Sequence, residues 1–223
     1  MLTSSHTQTD PGHAHGVDLE STFDFLNTED TENGFPVDKL PSLDDALNWF
    51  VDRGVIHHEG ADRARARVAA QPADGVKDLD RVHHVRSALR EVAEAIAEKR
   101  VPRASALTTV NRALHARQVI ELVPGPEGCY VDHRHVGDPV DDALARLADP
   151  LVSELTGGTP ERIRVCASDT CRWIFYDASR TGRRRWCDMA TCGNRAKAAR
   201  HRARARAADD EPATDDSQVV SAG

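Results

Sequence analysis

Four of the five cysteines fall in two pairs, Cys166/Cys171 and Cys187/Cys192, and Cys129 stands apart. The first pair encloses ASDT, the second DMAT, and fifteen residues separate the pairs. Two ligands from each of two turns supply two edges of a tetrahedron, and the intervening segment is long enough to return the second pair to the first. RWIFYD (172–177), aromatic and β-branched, has the composition of a strand within that segment. Four thiolates complete a shell and leave no position for water, so the expected ion is one structural zinc. An iron–sulfur cluster also uses four cysteines, but paired knuckles suit zinc better. Disulfides are disfavoured in the reducing compartment expected here.

A basic stretch follows these thiols. Residues 161–206 carry a net +9, and the rest of the chain sums to −16. Arg183, Arg184 and Arg185 precede the second pair; Arg195, Lys197, Arg200, Arg202, Arg204 and Arg206 follow it in an Ala-rich segment that should be helical through about residue 207. At 100° per residue, 195, 202 and 206 share one side and 197, 200 and 204 another, so cations surround much of the helix. Such a surface suits the phosphates of double-stranded DNA, and arginine can also read guanine edges. Asn194 either contacts DNA or caps the helix. Trp173, Phe175 and Trp186 read as a miniature core rather than a stacking platform. Arg180 and Asp177 are placed to pair and fix the intervening turn. With so few apolar residues of its own, the module is expected to fold only with zinc.

The elements that must position this module are mostly helical. Ser42 starts a capped helix over LDDALNWFVD that Gly54 ends; 59–70 is a polar helix halted by Pro72. The strongest periodicity is Leu79, Val82, Val85, Leu89, Val92 and Ile96, predicting a helix over 78–99. Further helices are expected over 103–116, with Leu107, Val110 and Leu114 on one stripe, and over 138–155, with Leu144, Leu147, Leu151 and Leu155 inward. QVIELV and CYVDHR flank PGPEG as a hairpin, and Phe23, Phe25 and Leu26 open a strand. Cys129, behind a turn glycine, is expected to be packed. Residues 1–16, with His6, His13 and His15, read as a disordered leader, and 207–223 as an acidic disordered tail that could fold over the basic helix. No apolar run spans a membrane and no secretory signal is visible, so a cytoplasmic protein is expected, nucleoid-associated when on DNA. The fold class is α+β: a mainly helical 17–156 domain with a small antiparallel sheet, then a treble-clef-like finger over 161–206, with GGTP (157–160) between them.

CASDTCRWIFYDASRTGRRRWCDMATCGNRAKAARHRAR (166–204) resembles the CGNR zinc finger, whose name is the motif Cys192-Gly193-Asn194-Arg195. Both cysteine pairs fit, as do Phe175, Asp177, Ser179 and Arg180 and the run Arg185-Trp186-Cys187. TFDFLNT (22–28) and the helix around Val85–Leu89 are similar to ABATE, the domain that usually precedes this finger and is described as a stress-induced transcription regulator. The resemblance implies a zinc-dependent DNA-binding regulator.

A regulator needs an input, so the first domain could sense a small-molecule effector or form a homodimer. Asp24, Asn27, Thr28, Arg86 and Arg90 could line a polar pocket; alternatively they brace a strand–helix junction. The doublets His57/His58 and His83/His84 could hold a second metal but suit helix surfaces. Two other function classes stay open. One is an RNA- or protein-binding zinc module. The other is an enzyme with its site in the first domain, although no phosphate loop, nucleophile elbow or H-E-x-x-H occurs.

Overall fold

The computed structural model describes residues 17–32, 35–115, 118–125, 128–135 and 137–209. The leader (1–16) and all but the first residues of the acidic tail lie outside them. The architecture is α+β, helical with three separate two-stranded antiparallel sheets. Helix α1 (Leu19–Leu26) occupies the segment expected to open a strand. Asp18 caps it, accepting the Ser21 N–H at 2.8 Å. Thr22, Phe23, Phe25 and Leu26 are buried, a spacing that one helical face satisfies as well as a strand does. The strand comes later: β1 (Glu29–Glu32) pairs with β2 (Phe35–Asp38), Glu29 opposite Asp38.

Helix α2 (Leu43–Asp52) begins at Ser42, whose hydroxyl accepts the Asp45 N–H, and ends before Gly54 at φ +66°, a left-handed turn suited to glycine. After α3 (His58–Ala70), Pro72 both stops that helix and opens the next, α4 (Pro72–Ala97). At the first position of a helix, proline gives up no hydrogen bond. The 26-residue α4 is the spine, in contact with α1, α2, α3, α5 (Ala104–Leu114) and α6 (Pro139–Gly157). Phe25, Phe50, Leu89, Leu144 and Leu147 lie at its core, and Trp49 closes an aromatic cluster with Phe25 and Phe50. Leu107 and Leu155, expected inward, are 40% and 42% exposed: Leu107 sits at the edge of the apolar stripe of α5, and Leu155 falls in the last turn of α6, beyond its buried residues. Strands β3 (Gln118–Gly125) and β4 (Gly128–His135) form the expected hairpin.

The last part is β5 (Ile163–Val165), β6 (Ile174–Tyr176), a π-helical turn at Met189–Gly193 and α7 (Asn194–Asp209). Adjacent strand residues point to opposite faces. Ile174 and Ile163 enter the core built by α1 to α6, whereas Phe175 joins Cys166 and Cys192 in a second, small cluster. The β5–β6 hairpin therefore has the helical core on one face and the cysteines on the other. Among the described residues no helix is long and apolar enough to cross a membrane.

Candidate metal centre

Cys166 and Cys171 lie on the loop joining β5 to β6, Cys187 just ahead of the π-helical turn, and Cys192 within it. Their four Sγ atoms all lie within 4.8 Å of one another, with Cys171 and Cys187 3.6 Å apart and Cys187 and Cys192 3.9 Å. Zinc–sulfur bonds of about 2.3 Å in a tetrahedron place sulfurs roughly 3.8 Å apart. The spacing fits one zinc ion. Burial pushes the Cys171 thiol up to about 11 and raises Cys187 as well. At Cys166 burial also opposes ionisation, but hydrogen bonds from the Cys187 and Ser168 backbone outweigh it and hold the thiol below its ordinary value. Four clustered thiols cannot all ionise without a cation among them, and a divalent ion supplies that charge. Among the described residues this is the one group of three or more His, Cys, Asp or Glu side chains with metal-binding geometry.

The two knuckles are tied together through the backbone. The Cys166 N–H donates to the Trp173 carbonyl at 2.8 Å, and the Ala167 N–H to the Arg185 carbonyl at 2.8 Å. Arg172 follows the first knuckle at φ +58°, left-handed for a non-glycine residue. That conformation costs on the order of 1 kcal/mol. It is held from both sides, by the Arg172 N–H on the Ser168 carbonyl and the Arg90 guanidinium on the Arg172 carbonyl. Asp188 caps the π-helical turn, accepting from the Thr191 N–H at 2.7 Å and hydroxyl at 2.8 Å.

Asp177 fixes the long turn between the knuckles, though not through Arg180 as expected. It is buried and accepts the Ser179 and Arg184 N–H groups at 3.0 and 2.8 Å. Burial pushes its carboxyl up, but these hydrogen bonds outweigh it and leave the group below its usual value. A carboxylate holding two amides of one turn has no need of a guanidinium. Arg162 instead binds the Asp177 and Ser179 carbonyls. Gly182 turns the loop at φ +61° and offers its carbonyl to Arg164 at 2.6 Å.

The five residues considered for a polar pocket are all committed to protein partners. The Asn27 side chain donates to the Ile174 carbonyl at 2.8 Å and accepts the Ile174 N–H at 2.9 Å, a side-chain amide acting as one more rung on β6. Arg86, 2% exposed, binds Asp38 through both terminal nitrogens and Thr28 at 2.9 Å. Arg90 reaches the Leu26 carbonyl at 2.9 Å as well as Arg172. Asp24 pairs with Arg53. The Trp173 indole N–H donates to Asp30 at 2.8 Å. The Asn27, Arg90 and Asp30 contacts brace the helical body against the hairpin and the first knuckle, while the Arg86 and Asp24 pairs lie within the body. Replacing Asn27 with Ala removes both bonds and leaves the Ile174 N–H and carbonyl buried and unpaired. The expected cost is about 2–4 kcal/mol, read as a lower denaturant midpoint at unchanged m-value, with the deficit centred on the hairpin in hydrogen exchange.

The cationic residues divide. Arg183, Arg185, Asn194, Arg195, Lys197, Arg200, Arg202, Arg204 and Arg206 are exposed. Arg184 is half-buried, lies 5.2 Å over the Phe175 ring and binds the Cys187 carbonyl, so its charge is engaged inside the module. Arg195 also reaches the Thr170 hydroxyl at 3.0 Å, and Arg185 stacks on Trp186. Asn194 donates to the Ala190 carbonyl, while the cap of this region is Asp188. Trp173, Phe175 and Trp186 form the miniature core with the cysteines. The sequence reading missed Asp188 and Asp30. Asp188-x-x-Thr191 was a readable capping signal; nothing local foretold that Asp30 meets an indole far along the chain. Cys129 is exposed rather than packed. His83 sits 2.9 Å from the Leu40 carbonyl and His84 2.6 Å from that of Asp80, so each imidazole of this doublet is held by backbone.

Two family models match the chain. One, described as the CGNR zinc finger, covers residues 162–205. The other, ABATE, described as "Putative stress-induced transcription regulator", covers residues 21–158. A search of curated proteins finds no match.

Proposed function

Because the chain belongs to the ABATE family and ends its matched region in a CGNR zinc finger, we propose that it is a zinc-dependent transcriptional regulator that binds double-stranded DNA through α7 and the loop before Cys187. The observation that carries this reading is the surface of α7. From Asn194 to Arg206 it exposes six cations and no carboxylate, and its main packing is against the turn that holds Cys192. A helix of 16 residues is about 24 Å long and fits a major groove, where side chains reach phosphates on both walls. Arg183 and Arg185 extend the same charge across the neighbouring loop. The stress signal rests on the family description alone. The helical body is the input module, for an effector or for a second copy. One finger covers few base pairs, so a dimer would double the footprint. No catalytic step belongs to this reading.

Competition tests it. Labelled duplex DNA bound by the zinc-loaded protein is challenged with unlabelled duplex, single-stranded RNA and an acidic peptide at about 0.1 M salt. Unlabelled duplex is expected to displace the probe at the lowest concentration. Displacement first by RNA or by the peptide would instead make the chain an RNA- or protein-binding module.

A further inference from the structure

A second site opens in the helical body, away from the cysteines. Helices α4, α5 and α6 enclose a cleft of about 710 Å³. Small-ligand pockets run from roughly 300 to 1,000 Å³. The apolar part of its wall is Val85, Ala113 and Leu144, buried or half-buried. Water there gains little, and an apolar ligand body gains its transfer free energy.

The polar part of the wall is unevenly committed. Arg81 is tied to Asp78 and to Asp141, the latter at 2.9 Å, and Lys77 to Asp74 at 3.1 Å. His84 donates through Nδ1 to the Asp80 carbonyl, so Nε2 of the neutral ring is an acceptor. Arg112, on α5, also lines the cleft, and its guanidinium has no hydrogen-bond or ion-pair partner among the described residues. Thr109, one turn before it, adds a hydroxyl, and His115 a second imidazole. Asp80 is the one acidic side chain of the wall without an ion-pair partner among the described residues, and it lies within one turn of Lys77 and His84 on α4. The uncommitted groups are thus the Arg112 guanidinium on α5, with the Thr109 hydroxyl one turn away, and the Asp80 carboxylate on α4, beside an apolar wall.

We propose that this cleft binds a small organic anion, a carboxylate on an apolar body, with Arg112 as its charge partner. The proposal deepens the reading of the helical body as an input module, naming its site and ligand class. The placement also gives a route to the finger. Val85 of the cleft precedes Arg86 on α4, and Arg90 one turn on holds the Arg172 carbonyl beside the first knuckle. A ligand that shifts α4 acts on the residues that seat the hairpin.

Calorimetry on the full, zinc-loaded chain without DNA tests the site, so its outcome is independent of whether the finger binds a duplex. The probes are benzoate and octanoate, with benzyl alcohol, 1-octanol and inorganic phosphate as controls. Saturable binding of at least one carboxylate at one site per chain is expected. The alcohols and phosphate should bind at least about tenfold more weakly, since each lacks the charge or the apolar body. Arg112→Ala removes an exposed, unpartnered side chain, so it should keep the wild-type Tm without ligand and weaken the carboxylate about tenfold. A second variant, Ala113→Phe, fills the cleft and should block binding. No saturable carboxylate binding up to about 10 mM, equal binding of the alcohols or of phosphate, or an unchanged affinity in Arg112→Ala would each overturn the proposal.

Discussion

Replacing Cys192 with Ser is expected to abolish stoichiometric zinc binding and to melt residues 166–206 while the helical body stays folded. The reason is the size of the second cluster. Beyond the cysteines it holds Phe175, Trp173 and Trp186, and α7 from Arg195 to Arg206 has no buried residue. Apolar burial on that scale is too small to order the segment without a further anchor. The ion supplies that anchor by joining both knuckles at one point, so its binding free energy becomes folding free energy. Cys192 also sits in the turn that launches α7, so its loss removes the helix's anchor. The body has its own core and should hold, weakened where Ile163 and Ile174 enter it. Hydrogen exchange read residue by residue checks this. Amides of 166–206 should lose protection in the variant and in chelated wild-type protein, and those of α4 and α6 should keep most of theirs. Unchanged protection across α7 would show that the metal does not order it.

The triple variant Arg200→Ala, Arg202→Ala, Arg204→Ala is expected to weaken duplex binding on the order of 100-fold at physiological salt and to flatten the salt dependence. If each arginine neutralises one phosphate, the slope of log K against log salt should fall by about 2.7. Stability should not fall, because all three side chains are exposed and alanine is the better helix former. Arg184 provides the contrast. Its guanidinium lies over Phe175 and binds the Cys187 carbonyl, so Arg184→Ala should cost finger stability and leave the salt slope nearly unchanged. Fluorescence anisotropy at four or five salt concentrations separates the two. A triple variant with the wild-type slope would remove α7 from the interface.

Much of this arrangement was legible in the sequence because it rests on local chemistry. Two thiol pairs declare a metal shell by type and spacing. Ser42 and Gly54 bound a helix by capping, and the apolar row from Leu79 to Ile96 announces the spine. The unreadable parts are those in which distant residues decide. TFDFLNT reads as a strand by composition, yet the pocket between α4 and α6 buries it as a helix. Pro72 looked only like a stop, because its second role depends on the helix after it. GGTP looked like a linker, but the finger's hairpin delivers Ile163 and Ile174 to the first domain's core, and Asn27 clasps β6 across a separation of 147 residues. No periodicity encodes such a contact. The division between exposed and engaged arginines was equally hidden, since Arg183, Arg184 and Arg185 are identical in type and differ only in what the fold places beneath them.

The most direct measurement is duplex affinity on one preparation, taken zinc-loaded, after chelation and after zinc is restored, with metal content followed alongside. About one zinc per chain, saturable salt-sensitive binding when loaded, loss on chelation and recovery on reloading are expected. Equal binding with and without the ion, or none in a protein that holds its zinc, would contradict the link between the four thiols and a DNA-reading helix.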